Sequence, residues 1–216
     1  AVASLVLGMG LPVTAAYIIL AILTAPALAG IMADGLIAEQ LMAGITDPAK
    51  SGLFFLVDHP LVAQVATGMT KPEAWELIRN IPFEIAVTIR PVMVDPAMLT
   101  TFLLTAHLII FWLSQDSNVT PPVCLAAFTA AGIAGSPPMA TGFESWKIAK
   151  GLYVVPLLFA YTPLISGDLI EVLQIGIFAL FGIYATNAII QWYAEGPIGF
   201  FSASLLGFGA GGAYWP

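Results

Sequence analysis

A polar run inside an apolar stretch carries the side chains best placed for chemistry. Residues 98–113 and 123–135 are mainly apolar, and residues 114–122 between them read SQDSNVTPP. If such a stretch spans a membrane, an ionisable group at its centre costs at least ~2.5 kcal/mol and is functional by default. We therefore expect Asp116, flanked by Gln115, Ser117 and Asn118, to lie in an ion or solute site. The alternative is that Asp116 caps the helix after the break or pairs with a neighbouring helix outside this chain.

A second interruption lies near the start of the chain. Residues 1–7 and 15–29 are mainly apolar, and residues 8–14 between them read GMGLPVT. In hydrocarbon, unpaired backbone groups are costly, so non-helical backbone persists there only where protein, water or a solute replaces the lost partners. Half-helix N-termini suit a carboxylate, and carbonyls freed at a broken turn suit a sodium ion. Two such breaks predict a binding site, in which the Thr14 hydroxyl either caps the returning helix or ligates an ion.

The other reactive side chains are expected to be structural. His107 has no second ligand four residues further on, which predicts a hydrogen-bonded interior histidine and not a metal ligand. Cys124 has no partner for a disulfide and is expected to be a small core residue. The sequence contains no Ser/His/Asp set, nucleophile elbow, HExxH, phosphate-binding glycine loop or CxxC motif. We expect no catalysis, no cofactor and no metal other than sodium.

The composition places these breaks in a membrane protein. Hydrophobic residues make up 59% of the 216 and charged residues only 9%, whereas soluble domains carry roughly 25% charged residues. A water-exposed surface could not be built from this inventory, so the bilayer is the expected solvent. The net charge of -7 disfavours nucleic acid as a partner.

The apolar segments predict an all-α integral membrane fold. A span needs about 20 apolar residues to cross roughly 30 Å of hydrocarbon, and residues 169–190 fit this length best. A second span is expected at residues 146–163, kinked by Pro156. The expected organisation is a re-entrant helical hairpin with a broken tip at residues 1–29, an extramembrane connector at 30–97, a discontinuous transmembrane helix at 98–135, two transmembrane helices at 136–193, and a C-terminal segment rich in glycine and aromatic residues at 194–216.

The connector is expected to contain amphipathic helices. It holds eight of the 13 acids and four of the six bases of the chain. Asp47 and Asp95 each precede a proline and predict helix N-caps, and Thr70 with Glu73 predicts a capping box. A solvated connector packed on the membrane domain is the simplest interpretation.

Charge placement predicts an orientation in the membrane. Lys147 and Lys150 are assigned to the short stretch before the span that begins near residue 146, whereas residues 164–168 contain no base. By the positive-inside rule, the Lys147 end faces the cytoplasm and the connector lies on the outer side.

Around the two breaks, the sequence resembles a known transporter family. LGMGLPVTAAYIILA at residues 7–21 and SNVTPPVCLAAFTAAGIAG at residues 117–135 resemble the large membrane subunit of tripartite ATP-independent periplasmic (TRAP) transporters. SPPMATGFESWKIAKGLYVVPLLFAYTPLI at residues 136–165 is similar to the fused form, in which small and large membrane subunits share one chain. The paired prolines after a polar break are the most specific element of the resemblance.

The resemblance implies a permease of two inverted repeats, each with a hairpin and a discontinuous helix, that moves in an elevator-like way. This chain has one such set and resembles the second, C-terminal repeat, so we interpret it as a fragment or a processed chain. Sodium ions are expected at the breaks, bound by Gly8, Gly10, Pro12, Thr14, Asn118, Thr120 and Pro121. The solute is expected to contact Asp116, Ser117 and Asn118.

The resemblance also implies partners and a location. Fused members work with a periplasmic binding protein of the TAXI type that delivers organic acids, and the N-terminal remainder of the permease is the other expected protein partner. The protein would lie in the bacterial inner membrane, in contact with the lipid bilayer. The alternatives are a sodium/dicarboxylate symporter that needs no binding protein, and a membrane scaffold subunit that transports nothing.

Overall fold

The computed structural model describes residues 12–116, 118–122, 124–199 and 206–207. Within these residues the regular elements are α-helices and short 3-10 helices, in agreement with the predicted all-α membrane protein. The first arm of the expected hairpin, at residues 1–11, and most of the segment at residues 200–216 lie outside the described part of the chain.

The helices follow one another along the chain with short connections. The α-helices are α1 (Val13–Ala43), α2 (Pro48–Ser51), α3 (Lys71–Arg79), α4 (Phe83–Met93), α5 (Pro96–Asp116), α6 (Leu125–Ala134), α7 (Pro138–Ala149), α8 (Val155–Tyr161) and α9 (Leu169–Gln191). The 3-10 helices are Gly52–Leu56, Pro60–Gln64 and Lys150–Val154.

The described residues fall into two compact units. Residues up to 23 and from 107 onward form one of them, which we name the break unit because it contains the polar run after α5. Thr24–Ala106 forms the other, which we name the connector unit.

Three helices in the described part of the chain are long and apolar enough to cross a membrane. They are α1 with 31 residues, α5 with 21 and α9 with 23. The helix α9 confirms the helix expected at residues 169–190. It begins after Asp168, whose carboxylate accepts a hydrogen bond of 2.8 Å from the Glu171 N–H. Only 11% of its most apolar window is buried, which leaves most of its surface free to face lipid.

The boundary expected between hairpin and connector at Gly30 is wrong, because α1 runs through it to Ala43. At 1.5 Å per residue, its 31 residues extend about 46 Å, enough to cross a bilayer alone. A Cβ atom at Gly30 would lie 3.0 Å from the Arg90 guanidinium. This glycine therefore makes room for a neighbouring side chain within the helix and does not end it.

The connector unit has its own hydrophobic core. Ile37 and Leu41 of α1 pack in one buried cluster with Phe54, Leu77 and Ile89 from the segments that follow. These five side chains are at most 2% exposed. The expectation of a solvated connector is therefore incomplete, since the acids and bases of this segment surround a packed interior.

The predicted helix starts of the connector are confirmed. The carboxylate of Asp47 accepts from the Ala49 N–H at 2.9 Å, and that of Asp95 accepts from the Ala97 N–H at 2.7 Å. At the start of α3, the Glu73 carboxylate accepts from the Thr70 N–H at 2.8 Å and from the Thr70 hydroxyl at 2.6 Å. These hydrogen bonds hold the pKa of Glu73 below its usual value, and the bond from the Thr70 hydroxyl has a larger effect than the bond from the Thr70 N–H.

The span expected at residues 146–163 is not a single α-helix. The helix α7 begins earlier, at Pro138, and the 3-10 helix Lys150–Val154 separates it from α8. Pro156 has no N–H to donate to the Leu152 carbonyl four residues before it, which disfavours a continuous α-helix. Instead the Trp112 Nε1–H donates to this carbonyl at 3.0 Å.

This helix arrangement also removes the basis for the membrane orientation inferred from Lys147 and Lys150. The positive-inside rule counts lysines and arginines in the loops that flank spans. Lys147 lies in the last turn of α7, and Lys150 begins the 3-10 helix. Both lysines are therefore inside the helical stretch, not in a loop before it.

Small residues let α9 pack closely on the 3-10 helix. The buried residues of α9 recur every third position and are Ala179, Gly182, Ala185 and Ala188. On the 3-10 helix, the Gly151 N–H donates to Asn187 Oδ1 at 3.1 Å. A Cβ atom at Gly151 would lie 2.7 Å from Asn187 Nδ2 and 2.8 Å from Ile183 Cγ2. Such close approach at a small residue is a usual way in which membrane helices pack.

Replacing Gly151 with leucine is therefore expected to lower the free energy of unfolding by about 1–3 kcal/mol, because overpacking forces neighbouring side chains and backbone to move. The matched control is Gly176→Leu on α9, since no atom lies within 4 Å of a Cβ built there. Unfolding of each detergent-solubilised variant by denaturant gives the midpoints to be compared. Equal midpoints for the two variants would contradict the close packing at Gly151.

Candidate functional site

The polar run after α5 forms a break between two helices, but the break is shorter than predicted. The helix α5 continues to Asp116, and α6 begins at Leu125. Ser114, which was expected in the break, lies in α5 and donates its hydroxyl to the Ile110 carbonyl at 2.8 Å. This bond within the helix lets a polar side chain remain in regular backbone. The idea that α5 and α6 share one discontinuous span stays a prediction, since α5 alone is long enough to cross.

Asp116 is the most unusual residue at the break. It is only 2% exposed, and its Oδ2 atom has no hydrogen-bond partner among the residues that the structure describes. The alternative that Asp116 caps the following helix is wrong, because Cys124 occupies the N-cap position of α6. A buried carboxylate oxygen without a partner is costly, so it requires a cation or a proton from elsewhere.

The backbone carbonyls at the end of α5 are not free. The Asn118 N–H donates to the Gln115 carbonyl at 3.0 Å, and the Val119 N–H donates to the Asp116 carbonyl at 3.2 Å. The Thr120 hydroxyl also donates to the Asp116 carbonyl, at 2.7 Å. Of these oxygens, Asp116 Oδ2 is therefore the one that has no partner among the described residues.

A tyrosine from a distant segment completes this network. The hydroxyl groups of Tyr153 and Thr120 lie 2.5 Å apart. Because Thr120 gives its proton to the Asp116 carbonyl, Tyr153 is the donor to Thr120. Tyr153 lies in the 3-10 helix Lys150–Val154, so this hydrogen bond ties the break to that segment.

An open groove lies beside this network. Its volume is about 420 Å³, and its lining residues are Thr120, Trp146, Lys150, Tyr153 and Ile190. The Lys150 ammonium stands over the Trp146 ring at 4.2 Å from the ring centroid, a cation–π contact. The groove therefore combines one positive charge with aromatic and aliphatic walls.

The remaining predicted site residues fall into three groups. Asn118 and Pro121 are half-buried in the turn between α5 and α6, and the Pro121–Pro122 peptide bond is cis. Pro12 and Thr14 are exposed at the start of α1, where the Pro12 carbonyl accepts from the Ala16 N–H at 3.0 Å. Gly8, Gly10 and Ser117 lie outside the described residues. The structure thus brings Asp116 and Thr120 into direct contact, whereas the ligand roles of the others stay predictions.

The two residues expected to be structural behave as predicted. His107 Nδ1 lies 3.1 Å from the Tyr17 hydroxyl, so it is a hydrogen-bonded histidine on α5. Cys124 is fully buried. A Cβ atom at Gly142 would lie 2.6 Å from the Cys124 Sγ atom, so the cysteine packs closely on α7.

Sequence reasoning missed Tyr153 and gave Lys150 only a role in orientation. Both residues are polar side chains inside the apolar stretch at residues 146–163. That is the same signal that identified Asp116, and it could have identified them. The contact of Tyr153 with the break could not be predicted, because it joins residues that are 33 positions apart in the chain.

Comparison with known proteins identifies the family. The family described as tripartite ATP-independent periplasmic transporter, DctM component, matches residues 1–165. No curated protein and no solved structure matches the chain. The match covers well over half of the chain and includes both breaks, the connector unit and the groove-lining residues from Thr120 to Tyr153. The chain therefore belongs to the DctM family of TRAP transporter membrane components.

Proposed function

We propose that this chain is part of a sodium-coupled permease for organic acids, in which Asp116 contributes to a sodium site at the break after α5. The DctM family consists of transporter components, not of enzymes, and it works with a small membrane component and a periplasmic solute-binding protein. The chain is accordingly a multi-pass membrane protein of a TRAP-type transporter. Sodium coupling, the organic acid and the inner membrane are parts of the proposal.

The buried carboxylate oxygen of Asp116, which has no hydrogen-bond partner in the part of the chain that the structure describes, carries this proposal. A carboxylate in such a place attracts a cation, and oxygen atoms are the ligands that hard cations prefer. The Thr120 hydroxyl oxygen is close by, since it bonds to the Asp116 carbonyl. Carbonyls at broken membrane helices bind sodium in other secondary transporters, which supports the further ligands proposed at residues 8–14 and 118–121.

The charge of the ligand decides between the two roles that were open for Asp116, contact with an ion and contact with the solute. An organic acid is an anion at neutral pH, and a buried carboxylate in direct contact with it would repel it. A cation at Asp116 is attracted instead, and it would screen the carboxylate from a nearby solute. We therefore place Asp116 in the sodium site and keep Ser117 and Asn118 as candidate solute contacts.

The resemblance supports the remaining parts of the proposal. These parts are an elevator-like movement, the interpretation of this chain as the second, C-terminal one of two inverted repeats, and a binding protein of the TAXI type. The matched residues 1–165 include both sequence breaks. The symporter alternative has no observation in its favour, because the family to which the chain belongs depends on a binding protein.

The test is uptake of radiolabelled organic acids into proteoliposomes that contain the complete transporter. Four conditions are compared: with and without an inward sodium gradient, each with and without the solute-binding protein. We expect uptake only when both are present. Uptake driven by a proton gradient without sodium would overturn the sodium site. Sodium-driven uptake without the binding protein would favour the symporter, and no uptake by a folded preparation would favour the scaffold.

A further inference from the structure

We propose that Lys150 binds the carboxylate group of the transported solute, in the groove beside the break. This inference rests on the proposed function, because it assigns a second and oppositely charged site next to the sodium site. It concerns a residue for which the sequence predicted only an influence on orientation.

The position of Lys150 makes its charge unusual. The 12-residue helix α7 precedes it, and the five-residue 3-10 helix and the seven-residue helix α8 extend from it in the other direction. It therefore stands near the middle of a helical stretch of about the length of a membrane span. If this stretch crosses the bilayer, an ionised side chain at its middle is expensive, and its usual explanation is a functional one with a specific partner.

Lys150 lacks a carboxylate partner in the part of the chain that the structure describes. Its ammonium contacts the face of Trp146 at 4.2 Å, and no described carboxylate lies within salt-bridge distance of it. Three residues earlier, Lys147 pairs with Glu144 at 2.6 Å. A cation–π contact offsets only part of the desolvation of an ammonium group, so Lys150 still requires an anion.

The local backbone directs Lys150 to the groove. In a 3-10 helix, side chains three residues apart lie one above the other, which places Lys150 and Tyr153 on the same face. Both residues line the groove of about 420 Å³. The volume suits a small organic molecule, and one end of such a molecule would meet the ammonium group.

The groove also adjoins the proposed sodium site. Tyr153 donates to Thr120, and Thr120 donates to the Asp116 carbonyl. One hydrogen-bonded chain therefore runs from the groove wall to the residue that is proposed to hold the cation. Opposite charges bound at neighbouring sites attract each other, so each ligand would favour the binding of the other.

The other walls of the groove define the class of solute. Trp146 and Ile190 present aromatic and aliphatic surfaces. The hydroxyl of Thr120 is already used as a donor to Asp116. A solute with one carboxylate and an apolar carbon skeleton fits these walls, whereas a polyhydroxylated acid would find fewer hydrogen-bond partners on them than in water.

The experiment compares Lys150→Gln with Lys147→Gln in proteoliposomes of the complete transporter. We expect Lys150→Gln to raise the KM for the solute about tenfold or more, because a charge-assisted contact is lost, while uptake still depends on sodium. Lys147→Gln should change neither the KM nor the dependence on sodium. Competition by apolar and polyhydroxylated acids of equal length tests the solute class, and we expect only the apolar acids to compete.

A second measurement uses the parent protein, so its result does not depend on whether a variant folds. An amine-reactive reagent is added with and without solute, and modification of each lysine is read by mass spectrometry. We expect solute to protect Lys150 and to leave the modification of Lys147 unchanged. Equal modification of Lys150 in both samples, or an unchanged KM in a folded Lys150→Gln variant, would overturn the inference.

Two comparisons separate the role of Lys150 from the transport function and from lipid binding. Sodium-driven uptake by the parent protein, together with an unchanged KM in Lys150→Gln, would reject the role of Lys150 and keep the proposed function. Absence of sodium-driven uptake in the parent would reject the proposed function itself. If the effect of Lys150→Gln required anionic phosphatidylglycerol and vanished in neutral phosphatidylcholine, Lys150 would bind a lipid headgroup, which also overturns the inference.

Discussion

Replacing Asp116 with asparagine is expected to abolish sodium-stimulated uptake while the protein stays folded. The amide keeps the shape of the side chain but removes the negative charge that is proposed to hold the cation. Removing one partner of a buried ion pair costs about 3–5 kcal/mol, which corresponds to at least a hundredfold loss of sodium affinity. The initial rate of uptake as a function of sodium concentration measures this loss.

Thermal unfolding supplies an independent measurement for the same variant. A ligand that binds only the folded state raises the unfolding temperature, so sodium should raise it for the parent and not for Asp116→Asn. Without sodium, Asp116→Asn is expected to be at least as stable as the parent, because a neutral amide costs less to bury than a carboxylate whose Oδ2 atom has no partner among the described residues. The matched control is Gln115→Ala, which changes the exposed neighbour and should preserve uptake. Full sodium-driven uptake by Asp116→Asn would show that the break is only a packing feature.

Removing the ion pair between Asp34 and Arg90 is expected to have the largest effect on stability. The Arg90 Nε–H donates to Asp34 Oδ1 at 2.9 Å, and Arg90 Nη2 donates to Asp34 Oδ2 at 2.8 Å. This bidentate pair is 16% exposed at the aspartate and 23% at the arginine. Asp34→Leu leaves the guanidinium without its partner and should cost about 2–4 kcal/mol of unfolding free energy.

A double-mutant cycle tests the pair. The double variant Asp34→Leu with Arg90→Met should cost less than the sum of the two single variants, because no uncompensated charge remains. The matched control is the pair between Glu144 and Lys147, which are 66% and 47% exposed. Its cycle should give at most about 1 kcal/mol, because solvent screens exposed pairs. Denaturant unfolding in detergent measures both cycles, and similar coupling energies for the two pairs would contradict the role of burial.

The parts of the fold that local signals determine could be predicted from the sequence. The helix α9 followed from a long apolar run, and the starts of α3 and α5 followed from Thr70 and Asp95. These features depend on residues within a few positions of one another. The boundary that was wrong at Gly30 depends on a distant partner. The sequence predicted a helix end at Gly30. This position is glycine because the Arg90 side chain, 60 positions away in the chain, packs against it.

The candidate site shows the same division. Asp116 could be identified from the sequence because a carboxylate inside an apolar run is unusual on its own. The lack of a hydrogen-bond partner for its Oδ2 atom among the described residues could not be predicted, since it depends on which groups surround this atom in three dimensions. The contact between Tyr153 and Thr120 also required the structure. Sequence reasoning therefore indicated where a site lies, and the structure indicated which of its oxygens and charges lack partners.

The hydrogen bond between Trp112 and Leu152 offers a built-in spectroscopic reporter. Pro156 leaves the Leu152 carbonyl without a donor four residues further on, and the indole Nε1–H of Trp112 takes that place at 3.0 Å. The chemical shift of an indole proton depends on whether it is hydrogen-bonded. Nitrogen-15 labelling of tryptophan, with Trp112→Phe to assign the resonance, would therefore give one signal that reports on this contact with the 3-10 helix before α8. Recorded with and without sodium or solute, that signal would reveal whether the contact changes during transport, without any attached dye.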